Sequence, residues 1–232
     1  MLWPVFLATE EPNKTQIINV REAFPNLKII PLTQSQESFL ESRLAAVEAL
    51  PANIQYVFPI QEDFLLQGRP REDIISGAID ILDESPSVSS LRLMPFPGPQ
   101  GKEKYGETEW TILDYGLDPL VFTYQATLWR REAYVAFMRQ MLEEIREKFG
   151  ILSHKQKIDI QIKLNVCETE MGKEVLRRVT GLHLAWPREG RQPNAVLLSA
   201  WPYRPTAVEL GRIQKWALEI AEREEVFLDI LP

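Results

Sequence analysis

Cysteine is almost absent from this chain: Cys167 stands alone, so no disulfide can form within it, and such usage fits a reducing compartment. Histidine is nearly as scarce, and two histidines with one cysteine, widely separated in sequence, do not make a zinc site. There is no basic excess either. A formal net charge of −7 argues against broad electrostatic binding to nucleic acid, which needs a positive surface. No apolar run approaches a membrane span, and Met1-Leu2-Trp3-Pro4 lacks the basic start and cleavage site of a secretory signal. The expectation is a soluble, cytoplasmic protein with no nucleic-acid partner and no membrane span.

Three motif absences narrow the chemistry. No Gly-x-Gly-x-x-Gly follows the first apolar run, and no Gly-Lys-Ser/Thr of a phosphate loop occurs, so dinucleotide and phosphate-loop readings lose their main support. No Gly-x-Ser-x-Gly elbow is present. What remains is carboxylates.

At 232 residues the chain can bury a full core as one α/β domain or two small ones. Trp3–Ala8 and Leu27–Leu32 read as strands. Thr33-Gln-Ser-Gln36 matches a capping box ahead of a helix from Ser38 to Leu50, with Phe39, Leu40, Leu44, Val47 and Leu50 at helical spacing. Ile54–Ile60 reads as a strand, Pro70 as a first helical position, and Ile74, Ile75, Ala78, Ile79 and Leu82 as the buried face of the next helix. Val88–Met94 returns as a strand. This alternation predicts one α/β domain with a mostly parallel central sheet and helices on both faces.

Three prolines and three glycines mark Pro95–Thr108 as a loop, with a functional lid or a simple insertion as the two readings. Beyond it, Val121–Leu128 reads as a strand and Arg131–Phe149 as a helix. Asp159–Glu170 is ambiguous, its alternating Ile160, Ile162 and Leu164 suggesting a strand. Val179–Trp186 and Ala195–Trp201 are expected to pair across the turn 187–194, and Thr206–Arg223 to form a last amphipathic helix.

The most informative stretch is Ile54-Gln-Tyr-Val-Phe-Pro-Ile-Gln-Glu-Asp-Phe-Leu-Leu66. Its apolar run ends in two adjacent carboxylates, Glu62 and Asp63, before a Gly68-Arg-Pro70 turn. Strands of α/β sheets deliver their carboxyl ends to the ligand crevice, where acids are available to hold a divalent cation against a phosphate. The alternative is a solvated turn after a buried strand.

Trp3-Pro-Val-Phe-Leu-Ala-Thr9, Gln61-Glu-Asp-Phe-Leu-Leu66, Leu91-Arg-Leu93 and Thr123-Tyr-Gln-Ala-Thr-Leu-Trp129 occur in an order that resembles small soluble GT-A-fold glycosyltransferases of bacteria and large DNA viruses. The resemblance spans nearly the whole chain and rests on loose motifs. It implies a single glycosyltransferase-like domain over residues 1–232, with residues 1–94 as the nucleotide- and metal-binding half and residues 109–232 as the acceptor side. Glu62-Asp63 then stands for the family's Asp-x-Asp motif, with Gln61 in place of its first acid. Asp63 would ligate Mn²⁺ or Mg²⁺ on the donor diphosphate, and Glu62 would assist through water. Cys167-Glu-Thr-Glu170 resembles the family's Trp-x-Phe-Glu segment, with Cys167 for Trp and Thr169 for Phe, making Glu170 the catalytic base and Glu168 its competitor. Thr9 and Gln125 fall at positions facing the nucleotide or a sugar, and Arg92, a cofactor-binding candidate inside a strand, implies a buried partner, either a structural carboxylate or the ligand.

The implied activity is metal-dependent, inverting hexosyl or deoxyhexosyl transfer from a nucleoside diphosphate sugar, UDP by resemblance, to a glycan acceptor. Each residue also has a structural reading: a capping Thr9, an Arg92 on a buried partner, a solvated Glu168-Thr-Glu170 turn. Trp129 is a sugar platform or core, and His183 a late-chain metal ligand or a satisfied core histidine. The rival functions are a noncatalytic nucleotide-sugar-binding module and a sugar nucleotidyltransferase, the latter disfavoured because no Gly-rich, Arg/Lys-containing loop follows the first strand.

Overall fold

The computed structural model describes residues 3–33, 39–61, 64–95, 98–163, 165–187, 199–204, 207–209 and 212–223. Contacts gather the chain into two compact units, Met1–Val57 with Arg130–Thr180 and Phe58–Trp129 with Gly181–Pro232. The first unit opens with β1 (Val5–Thr9), α1 (Thr15–Ala23), β2 (Leu27–Pro31), α2 (Phe39–Glu48) and the two-residue β3 (Tyr56–Val57). In the second unit follow β4 (Leu65–Leu66), α3 (Glu72–Glu84), β5 (Val88–Arg92), β6 (Thr111–Ile112) and β7 (Thr127–Arg130), at whose end the chain passes back. The first unit then gains α4 (Arg131–Phe149), α5 (His154–Ile158) and α6 (Glu170–Val179). The second closes with β8 (Leu182–Ala185), β9 (Tyr203–Arg204), β10 (Val208–Glu209), β11 (Arg212–Ile213) and α7 (Lys215–Arg223). The fold class is mixed α/β, and among the described residues no helix is long and apolar enough to cross a membrane.

In the first unit β1 and β2 pair in parallel, Val5 opposite Leu27 and Thr9 opposite Pro31, joined through α1. None of α1's residues is buried, which is why no apolar stripe announces it in the sequence. The unit's packing centres on α4, whose Ala133, Tyr134, Phe137, Met138, Met141 and Ile145 share one buried face. Helices α2 and α6 lie against it, and Gly150, at φ 72°, ends it in the backbone region that favours glycine. Arg131 does a second job at the other end of α4. Its guanidinium donates to the carbonyls of Glu48, Leu50 and Pro51, satisfying acceptors that the end of α2 leaves without helical partners.

Over Asp159–Glu170, ambiguous in sequence with a strand suggested, the described residues form helical turns instead. A π-helical turn spans Asp159–Lys163 and a 3₁₀ turn Val166–Glu168 before α6 starts. Within the π-helical turn the buried Gln161 accepts the N–H of Leu40 at the start of α2 (3.1 Å). The expected capping residue Gln36 lies outside the described residues, as does Leu164.

In the second unit β5 is buried at every residue and lies between β7 and β8, with β6 beyond β8. Its helix α3 buries Ile74, Ile75, Ala78 and Leu82. The β5–β8 ladder is parallel, but β5–β7 and β6–β8 are antiparallel. The mostly parallel sheet expected from the strand–helix alternation is therefore corrected to a mixed one. Parallel neighbours require a crossover, usually helical, whereas the described residues of 93–126 carry no helix and the chain brings β7 back beside β5 in the opposite sense.

Other expectations shift for equally local reasons. The strand forecast for Val121–Leu128 begins at Thr127; ahead of it the carbonyls of Leu120 and Val121 accept from Arg92 rather than from a neighbouring strand. The strand over Ile54–Ile60 shrinks to Tyr56–Val57. Pro70 lies two residues before Glu72, since the N–H groups of Gln67 and Arg71 donate to Pro202 and Ala200 and hold that stretch against another segment. The expected pairing of Val179–Trp186 with Ala195–Trp201 falls largely on residues 188–198, outside the described set; β8 itself lies between β5 and β6, and β9 pairs with β4. The last helix starts at Lys215, preceded by the β10–β11 pair; Thr206 is not among the described residues.

The glycine- and proline-rich segment is fastened as an irregular hairpin. Asp118, fully buried, accepts the N–H groups of Gln100 (2.6 Å) and Asp114 (2.8 Å), and Lys104 bridges to Thr111.

Candidate functional site

Glu62 and Asp63 lie outside the described residues, but their neighbours on both sides are placed. The N–H of Phe64 donates to the carbonyl of Gln61 (3.2 Å). Before the pair, the Phe58 ring meets Trp201 edge to face at 4.7 Å. After it, Phe64 stacks on Tyr203 at 5.0 Å, in a buried cluster with Met94 and Ala126. Both ends of the acidic segment are thus anchored on residues 201–203.

Gln125 reaches the same cluster through a hydrogen bond. Its Oε1 accepts the Tyr203 hydroxyl, and that hydroxyl oxygen accepts the N–H of Ala126 (3.2 Å). Burial pushes the Tyr203 phenol well above its ordinary pKa, so it stays a neutral donor. Tyr203 escapes sequence reasoning because its partners are remote along the chain and its two-residue strand carries no periodicity.

Arg92 is 1% exposed and turned to the backbone: Nη2 donates to the carbonyls of Leu120 and Val121, both at 2.8 Å. A cation needs such acceptors to be tolerated inside a protein. Beside it, His183 shares a 2.8 Å hydrogen bond with Ser90 through Nδ1, and its ring lies among those of Trp129 (5.4 Å) and Tyr115 (6.3 Å). Burial, reinforced by the Arg92 charge, lowers its pKa to about 3. His183 is thus a neutral core histidine, and Trp129, 2% exposed, is core as well. A serine next to a neutral imidazole has the makings of a nucleophile, yet both are sealed, at 3% and 1% exposure.

In the first unit, Thr9 stands at the carboxyl end of β1, where its Oγ1 accepts the N–H of Glu11 (3.1 Å). Glu168 and Glu170 do not share an extended segment. Glu168 closes the 3₁₀ turn, half-buried, its carboxylate accepting from the Asn165 amide. Glu170 opens α6 with its side chain 81% exposed and 3.6 Å from Lys173, a place where a negative charge suits the helix dipole. Of the two, Glu168 is the constrained carboxylate.

Arg92, Gln125 and His183 thus belong to the second unit, while Thr9, Glu168 and Glu170 belong to the first. The arrangement links Gln125, through Tyr203, to the residue that follows Asp63. Among the described residues no three His, Cys, Asp or Glu side chains gather as a metal site. Compared with known proteins, the chain matches no family model, no curated protein and no solved structure.

Proposed function

We propose that the chain is a metal-dependent glycosyltransferase of GT-A-like build, moving a sugar from a nucleoside diphosphate donor, UDP-linked by resemblance, to a glycan acceptor. The observation that carries this reading is the Glu62-Asp63 pair at the end of an apolar run, in a chain whose other segments follow the same order as in that family. Two features support it. The residues flanking the pair are anchored by aromatic contacts, and Thr9 ends the first strand of a parallel pair, the edge where α/β folds take ligands.

Metals of this use need only one or two carboxylates, the remaining ligands being substrate phosphates and water. Asp63 and Glu62 fit that donor set, and a three-residue protein cage is not required. Bound there, Mn²⁺ or Mg²⁺ would supply charge neutralisation on the diphosphate. The base, Glu170 or its neighbour Glu168, takes the acceptor hydroxyl's proton while that oxygen bonds to the anomeric carbon. The bond to the diphosphate oxygen breaks with its electron pair leaving on oxygen, and the configuration inverts.

One observation favours a second reading, a noncatalytic nucleotide-sugar-binding module: the Glu170 side chain is 81% exposed and paired with Lys173, with nothing around it, among the described residues, that would hold an acceptor hydroxyl against it. Donor hydrolysis without acceptor separates the two. UDP-sugars incubated with Mn²⁺ are expected to release UDP slowly, and chelation to stop it. Thermal stabilisation by a nucleotide sugar without turnover would identify the module, and pyrophosphate release from a triphosphate the nucleotidyltransferase. No stabilisation by any nucleotide or nucleotide sugar overturns the reading.

A further inference from the structure

In the first unit, the corner between α4 and α5 presents an apolar tip. Gly150 ends α4 at φ 72°, ψ −155°, a backbone region open in practice to glycine alone. Where a helix ends in the commoner left-handed turn, the residue after the glycine often folds back and covers the last turn. Here the chain leaves in another direction. Ile151 is 100% exposed, and Phe149, just before the glycine, is 41% exposed. The far side of the turn is fixed as well: Ser153 opens α5 with its N–H and hydroxyl both donating to Oε1 of Gln156 (3.0 and 2.8 Å). Single apolar residues are normal on a surface, but two within three positions, on a corner held at both ends, form a tip.

The charge around this tip is the reverse of the chain's. Against a net −7 for the whole sequence, residues 146–157 carry Arg146, Lys148, Lys155 and Lys157 and a single acid, Glu147. Lys157 is engaged by Glu41 (3.2 Å), and Glu147 lies within the field of Arg178. Arg146, Lys148 and Lys155 are exposed, and among the described residues none of them joins an ion pair. The Lys148 ammonium stands 5.6 Å from the centre of the Phe149 ring, so cation and apolar surface are presented together. Arg146 and Lys148 suit the end of a helix. Lys155 lies in the opening turn of one, where the backbone favours negative charge, so the helix dipole does not account for all three.

We propose that this corner docks the protein on an anionic bilayer surface, with Ile151 and Phe149 entering the headgroup boundary and Arg146, Lys148 and Lys155 meeting lipid phosphates. The two features select that partner together. Cations alone would suit any polyanion, and an apolar tip alone any hydrophobic surface; acyl chains beneath negative headgroups take both. Long basic side chains can lay their stems on the apolar layer while their charged ends reach the phosphates. Such docking is peripheral and reversible and needs no spanning helix. This inference does not depend on the transferase reading.

The test sediments the full chain with vesicles of phosphatidylcholine alone and of phosphatidylcholine mixed with an equal part of phosphatidylglycerol. Binding is expected only to the mixed vesicles, and to weaken as salt is added. Ile151→Ser should weaken it about tenfold, and Lys148→Gln with Lys155→Gln together about thirtyfold. Both sites are exposed, so neither variant threatens the fold. Leu117→Ser and Lys102→Gln, at exposed positions of the second unit, should change nothing. Cys167 is buried, so Ile151→Cys takes an environment-sensitive dye selectively, and its emission should shift to the blue on the mixed vesicles. No binding by the wild type would overturn the proposal, as would binding by Ile151→Ser equal to wild type or a dye that stays in water. Capture of soluble polyphosphate that needs the two lysines and ignores Ile151→Ser, with no vesicle binding, would overturn it in favour of a polyanion site.

Discussion

Ser90 and His183 stand opposite each other in the parallel β5–β8 ladder, their side chains joined by a 2.8 Å hydrogen bond. The pair places a titratable ring at the centre of the second unit, where burial lowers its pKa to about 3. An unfolded histidine titrates near 6.5, so between these values the unfolded state binds more protons and stability falls with falling pH. The contribution is complete above about pH 6.5 and is lost progressively towards pH 3, on the order of 5 kcal/mol over the whole span. Denaturant unfolding at pH 7 and pH 4.5 should therefore show a steep loss in the wild type and a shallower one in His183→Gln. Parallel loss in both would mean that other groups govern acid stability.

Arg92 is expected to matter for folding before it matters for ligands. Arg92→Met leaves the carbonyls of Leu120 and Val121 without their donor and should cost about 3 kcal/mol or more. Urea midpoints measure it. Unchanged stability together with lost nucleotide binding would restore the ligand-facing role suggested by the sequence.

Two glycines in helices should respond in opposite directions to alanine. At Gly172 an added Cβ would lie 2.1 Å from the carbonyl oxygen of Cys167, a backbone atom that cannot swing aside. Gly172→Ala should destabilise by about 3 kcal/mol. At Gly77 the space is open, and alanine should stabilise by up to about 1 kcal/mol. Thermal unfolding of the two variants tests the contrast.

Asp63→Asn preserves volume while removing the charge a hard cation needs. Calorimetry of UDP with Mn²⁺ should show a clear loss of affinity at unchanged melting temperature. Metal-dependent binding equal to wild type would remove Asp63 from the site.

The two acids of 168–170 are separable by transfer assays at saturating donor. If Glu170 is the base, Glu170→Gln binds donor normally and loses roughly two to four powers of ten in rate. Because Glu168 is the carboxylate held by Asn165, Glu168→Gln is the decisive companion. A large loss there with Glu170→Gln near normal moves the base by two residues, and no loss in either removes it from this segment.

Helices with a wide apolar stripe were readable from sequence alone. Arg131–Phe149 and the buried face of Glu72–Glu84 fall where periodicity places them, because each buries a stripe that local spacing encodes. The strands Val5–Thr9, Leu27–Pro31 and Val88–Arg92 follow from apolar runs in the same way. Helix α1 was not readable, since it buries nothing. The alternation at Ile160 and Ile162 suggests a strand where the chain is π-helical, and the residue between them, Gln161, is bonded to Leu40 far along the chain.

The candidate site divides along the same line. Composition excluded a disulfide within the chain, and missing motifs turned attention to carboxylates; these depend on residue identity alone. The surroundings of those residues depend on partners far along the chain. Arg92 meets carbonyls nearly thirty positions away and His183 a serine more than ninety away, while Gln125 meets a tyrosine 78 residues on. Chain folding alone selects which polar group is close enough to satisfy another. The sequence determined which chemistries were available, and the tertiary structure decided which of these side chains are spent holding the fold together.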